Sequence, residues 1–246
     1  MKSARRIALS FMFFFALPGA SGCFALFALD DYGPPRPDAG DVLDAGADTE
    51  PPEEPDAAPP IDTRPTKRVF ITSATTNGNL NGLSGADDRC QLLATGAGLG
   101  GSFKAWLSVD NETPRRRFPG LQNDGGRPDV RIVDTANRTV LHNWTTYFQT
   151  RKLLLPIENN ERGEKVQATD AGAAPLFEGC SDAGPVIPVW TNTGVDGNAI
   201  STEEDCENYR SENGGTYIGV VSTEASWTNA CAVPCNVQAH LYCIEQ

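Results

Sequence analysis

The sequence predicts an α+β domain with one or two helices, small antiparallel sheets, long loops and disulfide bridges. Three observations point there. Residues 84–95 carry a sustained helical period, with Ala86, Cys90, Leu93 and Ala97 on one stripe. Short β-branched and aromatic runs, such as RVFITS and TYIGVVS, alternate with Gly- and Asn-rich stretches. Cysteines 90, 180, 206, 231, 235 and 243 all fall in the same C-terminal part of the chain.

Taken in order, residues 68–73 form a first strand, and the polar loop 74–83 (ATTNGNLNGL) leads out of it. Ser84 is placed to cap a helix, with Asp87 and Asp88 in the first turn where the helix dipole favours acids. Gly96 and Gly98 stop the helix, and residues 100–108 (GGSFKAWLS) supply the next strand. Residues 131–141 (RIVDTANRTVL) read as strand, turn, strand, and residues 143–152 hold a second helix. Residues 216–222, 226–230 and 241–244 complete a small antiparallel sheet.

The charge divides the chain into three pieces. Residues 1–23 carry Lys2, Arg5 and Arg6 and no acid; residues 24–66 carry 11 acids against Arg36 and Arg64; residues 67–246 carry 21 acids against 15 bases. The whole has a net charge of −12, which disfavours nucleic acid as a partner. The first piece has the form of an export signal: a basic start, the apolar run IALSFMFFFAL, then Pro18-Gly19 and Ala20-Ser21-Gly22-Cys23. Small residues before a cysteine resemble a bacterial lipobox, which implies cleavage before Cys23 and a membrane partner through its acylation. Ala20 departs from that pattern, where Leu is preferred. Residues 7–29 also have the length of an uncut membrane span, and simple secretion is the third alternative. Phe24 after the cysteine resembles the outer-membrane sorting case of Gram-negative lipoproteins, so the expected place is the outer membrane or cell surface.

Residues 24–66 are rich in Pro, Asp and Ala and cannot bury enough apolar surface to order themselves, so they are expected to be a disordered acidic linker. As a flexible coil such a tether spans about 35–40 Å. Residues 67–246 are the domain. Its even set of six cysteines, exported, implies disulfides, and 15 connectivities are open. The alternative is a thiolate zinc site at Cys231, Cys235 and Cys243.

The block RVFITSATTNGNLNGLSGADDRCQLLATGAGLGGSFKAWLS resembles a bacterial extracytoplasmic lipoprotein family of unknown function with a C-type-lectin-like domain. VWTNT (residues 189–193) matches a strand of that family, and HLYCIEQ (residues 240–246) matches its tail. The middle of the domain is only loosely covered. The resemblance implies a C-type-lectin-like fold. It further implies bridges Cys90 to Cys243 and Cys206 to Cys235, which leaves Cys180 with Cys231.

Lectins of that fold bind sugar through calcium, held by an acid or amide on each side of a proline and by Trp-Asn-Asp on the next strand. Here Pro188 lies between Ile187 and Val189, and Trp227-Thr228-Asn229 replaces the acid. No metal and no cofactor is therefore expected, although Asp196-Gly197-Asn198 and the acids Glu203, Glu204, Asp205 and Glu207 offer oxygens that suit a hard cation. Arg115, Arg116 and Arg117 form a basic triplet able to meet an anionic glycan. No nucleophile elbow or HExxH motif is present, and His142 and His240 are isolated in sequence. The expectation is a non-catalytic lectin-like binding or adhesion module, with a glycan, a protein or an envelope component as ligand. An extracytoplasmic enzyme and a structural envelope protein are the alternatives. Candidate ligand residues are Trp190, Asp196, Tyr217 and Asn229, with the aromatics exposed beside a loop-side groove.

Overall fold

The computed structural model describes residues 62–118, 130–168, 180 and 186–246. The export signal, Cys23 and linker residues 24–61 lie outside the described residues. Among the described residues no helix is long and apolar enough to cross a membrane.

The last strand organises the sheet. β8 (His240–Glu245) pairs antiparallel with β1 (Thr66–Ile71) along one edge, Phe70 facing Cys243. Its other edge is shared by β2 (Phe103–Ala105), antiparallel, and β5 (Pro188–Trp190), parallel. Beyond β1 lie β3 (Arg131–Asp134), parallel to it, and β4 (Thr139–Leu141). Beyond β5 come β6 (Gly215–Val220) and β7 (Cys231–Pro234), both antiparallel. The sheet is thus mixed, whereas antiparallel sheets were expected. Parallel pairs need long crossovers, here the segments joining β1 to β3 and β5 to β8, and local pattern carries no trace of such a pairing.

Side-chain alternation along β1 and β8 feeds two cores. Phe70, Leu241 and Cys243 join the buried face of helix α1 (Gly82–Gly96), with Ala86, Cys90 and Ala94. Val69, Ile71, Tyr242 and Ile244 join an aromatic layer of Trp106, Phe118, Tyr147 and Trp227. Tyr147 belongs to helix α3 (Trp144–Thr150), and Phe118 follows the short helix α2 (Pro114–Arg117). A strand buried on both faces reads as a continuous apolar run, as LYCI does at the centre of β8.

Several local expectations are corrected. The domain begins before residue 67: Thr66 already lies in β1, and Pro65 O accepts from Arg131 N at 3.0 Å. Helix α1 starts at Gly82, not Ser84, after Asn81 in the left-handed region at φ 61°, a conformation Asn tolerates better than most. Asp87 accordingly does not serve the helix dipole; its carboxylate accepts from Ala105 N at 2.9 Å across to β2. The buried stripe continues to Ala94, while Leu93 and Ala97 are only half-buried. Residues 226–230 form no strand, because Ala225–Trp227 closes a 3-10 turn that drives Trp227 into the aromatic core. That turn crosses β6 at Gly219, where an added Cβ would stand 2.1 Å from Trp227 O, so the close approach requires glycine.

Three disulfides join Cys90 to Cys243, Cys180 to Cys231 and Cys206 to Cys235. The zinc alternative is overturned, since Cys231, Cys235 and Cys243 each have a different partner. The first bridge ties α1 to β8 across 153 residues. Closing a loop of that size removes about 5 kcal/mol of unfolded-chain entropy in the simplest account. Such bonds fit an oxidising, extracytoplasmic compartment. The Cys206–Cys235 bridge also holds a left-handed turn, with Cys206, Glu207, Asn208 and Tyr209 all between φ 54° and 60°. Each such residue costs about 1–2 kcal/mol. Asp205 Oδ1 accepting from Asn208 N at 2.8 Å, and Leu80 N donating to Tyr209 O at 2.9 Å, help to hold the turn.

Candidate functional site

The four candidate ligand residues differ in burial and in the element that carries them. Trp190 is fully buried and donates Nε1 to Thr76 O at 2.9 Å, which overturns its expected exposure. The reason is topological: β5 lies inside the sheet between β8 and β6, with both faces covered. Tyr217 is half-buried on β6, and Asn229 is exposed just after the 3-10 turn. Asp196 is half-buried in a loop pinched by the Thr193–Ala199 bridge. Burial pushes the Asp196 carboxyl up, but hydrogen bonds from the Asn198 side chain and N–H, with the Arg151 charge, outweigh it and leave its pKa below the ordinary value.

The residues matched against a calcium site are committed elsewhere. Pro188 lies in β5, paired with Val220. Thr228 is fully buried; its Oγ1 accepts from Trp106 Nε1 at 2.7 Å and donates to Thr193 O at 2.9 Å. Its carbonyl accepts from Thr191 Oγ1 at 2.7 Å, and Thr193 Oγ1 lies 2.8 Å from Ser108 Oγ. Asn192 Nδ2 donates to Ser201 O at 2.7 Å. Thr191, Asn192 and Thr193 therefore form a buried polar spine between β5 and the aromatic core. Of the acidic run only Asp205 is buried, where it caps the left-handed turn; Glu203, Glu204 and Glu207 are exposed. Among the described residues no group of three or more His, Cys, Asp or Glu side chains has metal-holding geometry.

His240 is fully buried, its Nδ1–H donating to Thr72 O at 2.6 Å, and His142 is exposed. Two further acids, Asp134 and Glu161, are buried without any local sequence signature. Asp134 accepts from Ala136 N at 3.0 Å, Arg138 N at 2.8 Å and Asn159 Nδ2 at 3.1 Å. Glu161 accepts from Ser73 N at 3.0 Å. Both lock the segment around residues 157–166 against β1 and β3, a structural task.

The basic triplet splits three ways, because successive helical residues point about 100° apart. Arg117 turns inward: its Nη2 contacts both Asp87 oxygens at 2.5 Å, and its Nη1 donates to Ala105 O and Leu107 O, each at 3.1 Å. Arg116 points into a groove of about 550 Å³ between α1, β2 and α2. Ser84, Lys104, Asn111 and Glu112 line that groove with Arg116, and the Asp87–Arg117 pair forms part of its wall. Arg115 leaves in a third direction, toward Phe148. The groove presents hydroxyl, amide, carboxylate, ammonium and guanidinium groups beside Leu83 and the aliphatic stems of its longer side chains, polar and apolar surface in about equal measure, so it suits a hydroxyl-rich ligand that also carries C–H faces. None of Trp190, Asp196, Tyr217 or Asn229 lines it.

No family model matches the chain, and no curated protein matches it.

Proposed function

We propose that the chain is an exported lipoprotein, anchored through an acylated Cys23, whose domain is a C-type-lectin-like binding or adhesion module without catalytic activity. The groove between α1, β2 and α2 carries the binding reading. Lys104 lies on β2 and Arg116 on α2, and the Asp87–Arg117 pair that forms part of the wall is already locked between α1 and α2, which limits the ordering cost of binding at that wall. A glycan, or a polar envelope component rich in hydroxyls, matches that chemistry. The lectin-like fold is supported by the β1–β8 pairing and the Cys90–Cys243 bridge, which join the two ends of the domain. Membership of the extracytoplasmic lipoprotein family rests on the resemblance of residues 68–108, 189–193 and 240–246. Outer-membrane or cell-surface placement rests on Phe24 after the lipobox.

A screen of the mature chain against glycans and envelope components tests this. A ligand held by the wild type and lost in Lys104→Glu supports the groove. Turnover of a bound substrate, or retention of nothing, overturns the reading. Cys23→Ala should leave an unprocessed precursor, and a wild-type mature protein that still begins at Met1 rules out the lipid anchor.

A further inference from the structure

Arg115 on α2 and Arg151, at the C-terminal end of α3, both approach the ring of Phe148. Their guanidinium carbons lie 5.2 and 5.8 Å from the centroid of Phe148. Each also donates to the same loop: Arg115 Nη1 to Asp196 O at 3.2 Å, and Arg151 Nη1 to Val195 O at 2.7 Å. That loop is docked on α2 by Arg115 N donating to Gly197 O at 3.0 Å. Gly197 has φ +77°, and a Cβ there would press on Arg115 Cβ at 3.3 Å.

Neither arginine makes an ion pair among the described residues. The acid beside them, Asp196, turns its oxygens to Asn198, at 3.1 Å from N and 2.7 Å from Nδ2. Two positive charges are thus gathered and oriented with donors to spare, since each guanidinium carries five N–H groups. The backbone adds an independent sign. Arg151 sits in the left-handed region at φ 61°, a helix C-terminal position where Gly or Asn is favoured. The strain falls on a residue whose side chain reaches both the ring and the loop.

We propose that Arg115 and Arg151, braced on Phe148, form a subsite for one oxyanion group, a uronate carboxylate or a sulfate ester, of an acidic polysaccharide. Guanidinium forks match such oxyanions in charge and in paired hydrogen-bond geometry. The ring and the loop carbonyls fix both forks before the ligand arrives. A single polysaccharide strand fits better than a lipid surface, because it can bring one oxyanion to the subsite without setting an extended anionic plane against a domain that carries 21 acids and 15 bases over residues 67–246. The subsite lies outside the groove and does not depend on it; the two share only helix α2.

The test measures binding of the mature chain to polygalacturonate, dextran sulfate and neutral dextran, with anionic phosphatidylglycerol vesicles as the competing surface. Arg151→Gly suits the backbone and removes the charge; Arg115→Gln removes the other. Lys152→Gln deletes a neighbouring charge that pairs with Glu224 and serves as control. Each arginine variant should weaken binding to an acidic polymer by about tenfold or more, the loss expected for a charge-assisted hydrogen-bonded contact. Lys152→Gln should stay within about twofold, as for an exposed pair. Arg151→Gly should melt no lower than the wild type. Preference for polygalacturonate or for dextran sulfate tells carboxylate from sulfate. Equal losses in all three variants, equal binding of neutral dextran, binding to vesicles alone, or no binding to either acidic polymer would overturn the proposal. Loss of groove binding in Lys104→Glu reads separately from all of these.

Discussion

Arg68 grips both carboxylate oxygens of Glu245, with Nε 2.8 Å from Oε2 and Nη2 3.1 Å from Oε1, so a fork closes the pairing of the first and last strands. Arg68 N donates to Oε2 as well, at 3.0 Å. Burial pushes the Glu245 carboxyl up, but the hydrogen bonds and charge of Arg68 outweigh it, so its pKa sits below the ordinary value.

A depressed folded-state pKa sets the sign of the pH effect. The stabilisation from Glu245 is fully present above its unfolded pKa and is lost as pH falls through the lower folded value. Thermal melts from neutral toward acid pH should show the wild type losing stability below the ordinary carboxylate range near pH 4. Glu245→Gln should cost about 1–2 kcal/mol at neutral pH and show a flatter acid slope. Equal slopes in both proteins would show that the fork contributes nothing.

The buried polar spine predicts a cost for a near-isosteric change. Thr228→Val removes the oxygen that accepts from Trp106 Nε1 and the donor to Thr193 O. Both partners stay buried, so the loss should be about 2–3 kcal/mol in chemical denaturation. Asn229→Ala next door, exposed, should change stability by less than about 0.5 kcal/mol.

How far the sequence spoke depended on the range of each contact. The apolar-polar pattern of RVFITS and the apolar run LYCI within HLYCIE are local, so those strands are legible. The elements that cover their two faces are not, because that requires β5 parallel to β8 and α1 packed opposite the aromatic layer. Trp190 was misplaced for that reason. The chain at Trp227 has strand-forming residues, yet packing of that ring against Trp106 and Tyr242 turns the backbone instead. Ser84 looks like a cap only until Asn81 enters the left-handed region three residues earlier. The groove is partly legible, since Arg116 belongs to the basic triplet, but Lys104 and Glu112 reach it from separate elements. The Asp87–Arg117 pair, joining α1 to α2, has no signature in either segment alone.

The three bridges predict that the purified domain contains no free thiol among its six cysteines. Peptide mapping without reduction should recover Cys90 linked to Cys243. Replacing both by Ala should lower stability by about 2–5 kcal/mol. A Cys90–Cys180 peptide would show the connectivity to be wrong.

Calcium should neither stabilise the domain nor confer sugar affinity. A hard cation needs several anionic or carbonyl oxygens to displace its water. The expected strand supplies Thr228, whose hydroxyl is already hydrogen-bonded to Trp106 and Thr193 inside the core. Pro188 is paired in β5 with neutral Ile187 and Val189 as neighbours. Among the acids nearer the surface, Asp196 is turned to Asn198, and Asp205 spends Oδ1 on the left-handed turn. A ligand that binds only the native state stabilises it in proportion to the logarithm of its saturation, so millimolar calcium on a micromolar site would add about 4 kcal/mol. Melts of the mature chain with calcium and then with chelator should therefore coincide. A rise of several degrees that disappears in Asp205→Asn would place a cation at the left-handed turn and return calcium to the account of how this domain binds its ligand.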